Sequence, residues 1–312
     1  MHLKDNMKDI RTDRDNSTNT IRHAYLVMAH HRPDLLQELL GALDDERNDI
    51  YLHIDKRATS DMNPNCFSVE KSNLFFMDRM CVNWGGYSQI ECTLNMLEAA
   101  TNHDTYERYH LITGASFPLR DQDYIHGFFD KHTEEEFMDI DRPVPERVKY
   151  LFLFNEEFRS CGPVKGLIRH ALLQLMKCLN MDRSRKFDLT HKKGLAYWSV
   201  THGLASLVVE KKKLIYDLLR YSSCGDEVFM QTIAYNSEFK NNIFDEEGNP
   251  HGSLRLSTWN LEDAGIERPN HSFIKEDRAL ILNEKTKLFA FKFEGPDGLK
   301  LIEDIKKYNF NK

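Results

Sequence analysis

The chain has 312 residues, 41% hydrophobic and 29% charged, which can bury a sizeable core and excludes a disordered chain. Its formal net charge of −7 argues against a nucleic-acid binder that relies on a global positive field. No apolar run approaches the roughly 18–20 residues that span a bilayer, the first twenty residues are almost entirely polar, and the six cysteines include no CxxC pair. These features predict a cytoplasmic globular protein with reduced thiols.

Residues 1–20 alternate charges with Asn, Ser and Thr and read as a flexible polar tail. From residue 21 to residue 312 no repeat and no Pro/Gly-rich linker interrupts the chain, so one integrated domain is expected. His23–Ala29 is a short apolar run suited to a buried strand. Pro33 and Asp34 then open a helix whose Leu35, Leu36, Leu39, Leu40 and Leu43 share one face. Ile50–Asp55 follows as a second strand, and a strand–helix–strand unit of this size makes the two strands parallel. Leu74–Met77 reads as a third strand. Ser88-x-x-Glu91 has the form of a capping box before a helix, and Tyr109–Thr113 returns as a fourth strand. The alternation predicts an α/β fold with a Rossmann-like, mostly parallel central sheet covered by helices on both faces. Ligands bind such sheets at the carboxyl ends of the strands.

Further on, Leu167 to Leu179 outline a helix, and Trp198 to Tyr221 hold a strand and another helix. Asp226 and Glu227 precede Phe229 and Ile233, which places the acid pair at a helix start. A carboxylate there is stabilised as the anion by about 0.3–1 kcal/mol, so the pair reads either as a simple cap or as a general base. Phe289, Phe291 and Phe293 alternate with Ala290, Lys292 and Glu294, a half-buried strand that turns Lys292 to the face opposite the phenylalanines, where it reads as an ordinary surface lysine or as a cation aimed at a phosphate. Arg255 alternates with Leu254 and Leu256 and is expected to face away from them, free to bind an anion. Trp84, Trp198 and Trp259 suit a core or a sugar-stacking platform.

Phosphate-loop and dinucleotide fingerprints are absent, as is H-E-x-x-H zinc spacing, and adjacent His30 and His31 lack the usual ligand spacing. Three D-x-D pairs occur, Asp13/Asp15, Asp121/Asp123 and Asp139/Asp141, but 26 aspartates supply about two such pairs by chance. Only Asp139/Asp141 follows a strand-like stretch.

Five segments in order, Ala24–His31, Leu52–Asp55, Val82–Ser88, Ser223–Glu227 and Leu288–Phe293, resemble the core 2/I-branching β-1,6-N-acetylglucosaminyltransferases, a family that includes the peptide O-xylosyltransferases. The resemblance runs from Arg22 to Glu294. It implies a GT-A fold, with residues 21–135 as the nucleotide-sugar-binding half and 136–312 as the acceptor and catalytic half. It also implies an inverting, metal-independent transfer from a UDP-sugar, UDP-GlcNAc foremost, to a glycan or lipid-linked saccharide, with no cofactor. By the same resemblance Glu227 is the base, Lys292 contacts the donor diphosphate, and His30 and Asp55 hold the uridine. Trp84 and Gly85 lie in a donor-side segment, while Asp226 and Trp259 belong to the acceptor side. Arg255 is a second candidate diphosphate cation. Two departures stand out: Ser116 occupies a segment that usually carries an aspartate, and Phe291 replaces a common arginine. Lacking an anchor and a paired cysteine pattern, the chain is expected to be a bacterial-type enzyme of surface polysaccharide synthesis. Alternatives are a UDP-xylose-dependent transferase and a non-catalytic sugar-nucleotide or glycan-binding protein. A glycoside hydrolase is disfavoured, because neighbouring Asp226 and Glu227 point in different directions and that chemistry needs carboxyls about 5–9.5 Å apart across a sugar.

Residues 159–193 hold nine Lys/Arg against two acids, a local +7 in an acidic chain. This stretch reads as a core-packed helix with solvated charges, or as a surface for peripheral contact with an anionic membrane at its inner face.

Overall fold

Nine strands are found among the described residues: β1 (Lys8–Ile10), β2 (His23–Ala29), β3 (Asn48–Ile54), β4 (Asn73–Phe76), β5 (Arg108–Thr113), β6 (Ser116–Pro118), β7 (Ser199–Val200), β8 (Arg255–Ser257) and β9 (Phe289–Phe291). The computed structural model describes residues 8–10, 22–140, 146–157, 160–244, 252–259 and 271–310. The main helices are α1 (Pro33–Leu43), α2 (Tyr87–His103), α3 (Gln122–Phe129), α4 (Glu146–Lys149), α5 (Pro163–Cys178), α6 (His202–Glu210), α7 (Lys212–Leu219) and α8 (Phe229–Tyr235), followed by Arg278–Asn283 and Gly298–Asn309. They fall into two compact units. One comprises the described residues of Met1–Arg79, Tyr106–Glu134 and Leu254–Lys312, and the other Met80–Thr105 and Glu135–Ser253.

In the first unit the strands run in the order β1-β4-β3-β2-β5. β2 pairs in parallel with β3 and with β5, β3 pairs in parallel with β4, and β1 is antiparallel at the edge. This is the mostly parallel α/β sheet that the GT-A expectation required. All seven residues of β3 are buried. Successive side chains point to opposite faces, so both faces of the sheet are covered and the apolar run has no polar side. Pro33 opens α1, and the five leucines of its predicted face are all buried. Leu35 and Ala42 of α1 join a core with Phe117, Leu256 and Ala290 of a second sheet, with Phe293 just beyond it, and with Leu301, Ile302 and Ile305 of the last helix.

The second sheet has the order β6-β9-β8, with β9 in the middle. The half-buried strand expected over residues 289–294 stops at Phe291, and all three of its residues are buried rather than alternating. Lys292 follows the strand end, where the Lys292 carbonyl accepts from the Phe273 N–H at 2.8 Å. Under the main sheet, His23 and His110 are fully buried with ring nitrogens 3.2 Å apart, and His126 stacks on His23. Burial, reinforced by neighbouring positive charge, pushes both His23 and His110 well below the usual imidazole range, so they are neutral structural residues.

The second unit is mainly helical. α2 packs against α6, and α6 against α7 and α8, around buried Ile90, Leu97, Leu204, Val208, Leu219 and Ile233. The segment expected to hold one helix after Trp198 holds two, α6 and α7. The capping box does not form. Glu156 supplies the cap instead: Ser88 donates to it from N–H at 2.9 Å and from Oγ at 2.6 Å, and the Asn83 amide at 3.0 Å. A carboxylate brought from a distant segment outcompetes Glu91 because it satisfies three donors at once. None of the six cysteines forms a disulfide. No helix among the described residues is long and apolar enough to cross a membrane.

Candidate active site

β2, β3 and β5 end nearly level, with Ala29 opposite Ile54 and Met28 opposite Thr113. The chain builds β3 and β4 on one side of β2 and then β5 on the other, so the strand order reverses between β2 and β5. Open α/β sheets bind ligands outside the carboxyl ends at such a reversal. His30 and Asp55 are the first residues beyond β2 and β3. The exits lie close together: Asp55 N–H donates to the Ala29 carbonyl and Gly114 N–H to the Met28 carbonyl, each at 2.9 Å. A Cβ on Gly114 would stand 3.0 Å from that of Ala29, which is why a residue without a side chain suits this exit. The buried Asp55 carboxylate accepts from Arg57 at 3.0 and 2.9 Å, and Arg79 donates to the Asp55 carbonyl at 2.7 Å.

Lys292 Nζ donates to Glu294 Oε2 at 2.9 Å, and His31 Nε2 lies 3.5 Å from Oε1 of the same carboxylate. Arg32, itself locked to Asp34, donates to the Glu294 carbonyl at 2.8 Å. Burial raises the Glu294 carboxyl, but the hydrogen bonds and charges of His31 and Lys292 outweigh it and draw the group down to about 2. His30 is lowered by partial burial and by His31, while Glu294 and Asp55 pull it upward and Lys292 downward. His30, Asp55 and Lys292, three predicted donor residues, therefore interact electrostatically at one end of the sheet.

In the second unit Asp226 and Glu227 lie in a 3-10 turn, Gly225–Glu227, and Val228 separates this turn from α8. The acid pair, expected at the helix start, thus precedes the helix instead of forming its first turn. Cys224 takes a left-handed conformation (φ 49°) and its N–H donates to the Gly85 carbonyl at 2.8 Å. Gly85 has φ +74°, a conformation that favours glycine, and its Cα faces Cys224 and Ser223. The 83–86 loop, with Trp84 at 49% exposure, is therefore bonded directly to the segment that carries Glu227.

Lys193 Nζ pairs with Glu227 Oε2 at 3.1 Å, and the Gly194 N–H donates to the Glu227 carbonyl at 3.0 Å. A Cβ on Gly194 would fall 1.8 Å from the Asp139 carbonyl oxygen, so Gly194 lies pressed between Asp139 and Glu227. Gly194→Ala is expected to cost about 1–3 kcal/mol by forcing the backbone apart. A lowered urea midpoint together with reduced turnover checks this, since the same shift displaces Lys193.

Arg255 differs from the expectation of an open anion site. It is 1% exposed, its guanidinium lies 4.9 Å over the Phe289 ring, and it donates to the Leu111 carbonyl in the middle of β5. The alternation with two leucines set its face, but that face is covered. Trp259 is half-buried, stacked on His271 at 4.8 Å and tilted toward Phe291 at 5.8 Å. Trp198 is a core residue. Ser116, at the first departure from the family pattern, is buried and its Oγ accepts from the Thr113 N–H at 3.2 Å.

Of the D-x-D pairs, Asp121 caps α3 by accepting from Tyr124 N–H at 2.9 Å, and Asp123 pairs with Arg47. Asp139 is buried and accepts from Ser253 N–H at 2.9 Å. Asp13, Asp15 and Asp141 lie outside the described residues. Among the described residues no three His, Cys, Asp or Glu side chains group to hold a metal ion.

Three participants escaped the sequence reading. Glu294 was signalled by its position two residues after Lys292, the same-side spacing of an extended segment. His31 was weighed only as a metal partner of His30, and Lys193 only as part of a basic stretch. Nothing local ties Lys193 to Glu227.

A family model described as Core-2/I-Branching enzyme matches residues 23–284. No curated protein matches the chain in sequence. Among solved structures, apo mouse xyloside xylosyltransferase 1 is similar at 12% identity, covering 86% of this chain and 97% of its own, with a TM-score of 0.36. A putative glucose-1-phosphate thymidylyltransferase from Bacillus anthracis is similar at 11% identity over 60% of this chain and 75% of its own, with a TM-score of 0.28. S. aureus TarS 1-349 is similar at 10% identity over 71% and 74%, with a TM-score of 0.25. These structural likenesses are distant, and the sequence match carries the assignment. With most of its length matched, the chain belongs to the Core-2/I-branching enzyme family and is a glycosyltransferase.

Proposed function

We propose that the protein is an inverting, metal-independent transferase that moves N-acetylglucosamine from UDP-GlcNAc to a glycan hydroxyl in bacterial surface polysaccharide synthesis. The observation that carries this reading is the Lys292 ammonium, held 2.9 Å from Glu294 at the end of the sheet where His30 and Asp55 also stand. UDP leaves with growing negative charge on its diphosphate, and a preorganised cation stabilises that charge without reorganising during the reaction. Lys292 fills this role, Glu294 and His31 keep it in place, and His30 and Asp55 contact the uridine. Trp84 and Gly85 serve the donor side. Arg255, buried against Phe289, contributes at most a long-range field.

The acceptor hydroxyl oxygen bonds to the anomeric carbon on the face opposite UDP, the carbon–oxygen bond to UDP breaks, and the hydroxyl proton passes to Glu227. Lys193 anchors one oxygen of that carboxylate. Asp226 and Trp259 line the acceptor side. The test is UDP release from a panel of UDP-sugars, with and without EDTA. The expected result is release from UDP-GlcNAc that EDTA leaves unchanged. Release abolished by EDTA overturns metal independence, and release from UDP-xylose instead overturns the donor assignment.

A further inference from the structure

We infer that α5 docks its outward apolar face onto an anionic lipid bilayer. A helix on a globular protein turns its apolar stripe to the core, as α1 does with five buried leucines. α5 does the reverse. Val164, Leu167, Ile168 and, two turns on past exposed Ala171, Leu175 share one helical face and are 70%, 69%, 47% and 55% exposed. Leu179 and Met181 extend this exposed row beyond the helix end. Met176, off that face, is the one buried residue of α5. Single exposed leucines need no explanation, but a continuous row on one helix face marks an interaction surface.

Charge selects the occupant. Nine Lys/Arg stand against Asp182 and Asp188 over residues 159–193, while the whole chain carries −7. Glu157, Glu146 and Glu227 reach in from outside to pair with Lys165, Lys177 and Lys193, and an excess of four positive charges remains. Lys165 and Lys177 border the apolar row with their ammonium groups held by Glu157 and Glu146, and their long stems can lie along lipid. Exposed Arg185 and Lys186 follow in the next turn. A second copy of the chain would bring the same excess charge against itself. At 16 residues α5 is too short to span a bilayer, which leaves an interfacial helix with basic flanks and an apolar face.

The test is co-sedimentation of the full chain with phosphatidylcholine vesicles, with and without phosphatidylglycerol. Binding is expected to be about tenfold or more stronger on the anionic vesicles and to weaken with added salt. Leu167→Glu with Leu175→Glu is expected to reduce it on the order of a hundredfold while leaving the unfolding midpoint unchanged, because both side chains are exposed. Arg185→Gln with Lys186→Gln is a second probe that leaves the apolar row intact, and is expected to lower anionic binding about tenfold or more. Equal partition onto both vesicles, no binding to either, or a dimer that the leucine variant breaks while vesicles capture nothing would each overturn the inference.

Discussion

Glu227→Gln is expected to lower turnover by about 10²–10⁴-fold while leaving UDP binding intact. The substitution keeps the size of the side chain and an oxygen for Lys193 at the 3.1 Å position, but it removes the ability to accept a proton. The acceptor hydroxyl must shed its proton as its oxygen bonds to the anomeric carbon, so the loss falls on the chemical step. Turnover measured as UDP release and UDP affinity by calorimetry separate the two effects. Wild-type turnover in the variant would remove Glu227 from the role of base. Lys193 acts through Glu227 and is a positioning residue. Its neighbour Gly194 shows how tightly this segment is held, with no room for a methyl group against Asp139.

Lys292→Met is expected to cost about 10²–10³-fold in turnover, the scale of losing one preorganised charge-stabilising group, with Lys292→Arg recovering part of it. The same variant carries a signature in stability. In the folded chain burial alone would raise Glu294, but His31 and Lys292 draw it from the usual 4.5 to about 2. A carboxyl whose folded pKa is depressed stabilises the fold above its unfolded pKa and loses that contribution as pH falls through its folded value. Lys292→Met is therefore expected to be less stable than wild type at neutral pH. The gap should narrow as pH falls from about 4.5 toward 2, measured by urea unfolding across that range. A turnover loss with no such narrowing would show that Lys292 does not hold Glu294 in solution.

Much of the first unit was legible because its signals are local. The continuous apolar run His23–Ala29 can only be buried on both sides, and it forms β2 with the predicted bounds. Pro33 followed by leucines on one face specifies α1 within a single turn's reach. The carboxyl ends of these strands, and hence His30 and Asp55, follow from the same runs. The spacing of Phe229 and Ile233 put Asp226 and Glu227 at the helix start, and they stand in the 3-10 turn just ahead of α8. Where the reading failed, a distant group intervened. Ser88-x-x-Glu91 is a sound local pattern, yet Glu156 took its donors. Alternation told which way Arg255 points from its leucines, but not that Phe289 covers that face.

The amino-acid sequence by itself determined β2 to β5, α1, α2, α5 and α8, the polar residues at the strand ends and the acid pair at the start of α8. Each of these depends on neighbours within one turn or one strand. By contrast, β1 forms inside the stretch read as a flexible polar tail, and β6, β8 and α3 carried no local signal. Only the tertiary structure decided the partners: His31 with Glu294, Lys193 with Glu227, Glu156 with Ser88. It also decided the direction in which α5 turns its apolar face, because periodicity defines a stripe and only packing defines what lies opposite it. Contacts between residues far apart in the chain are set by how the elements dock, and no rule acting over a few residues contains that information.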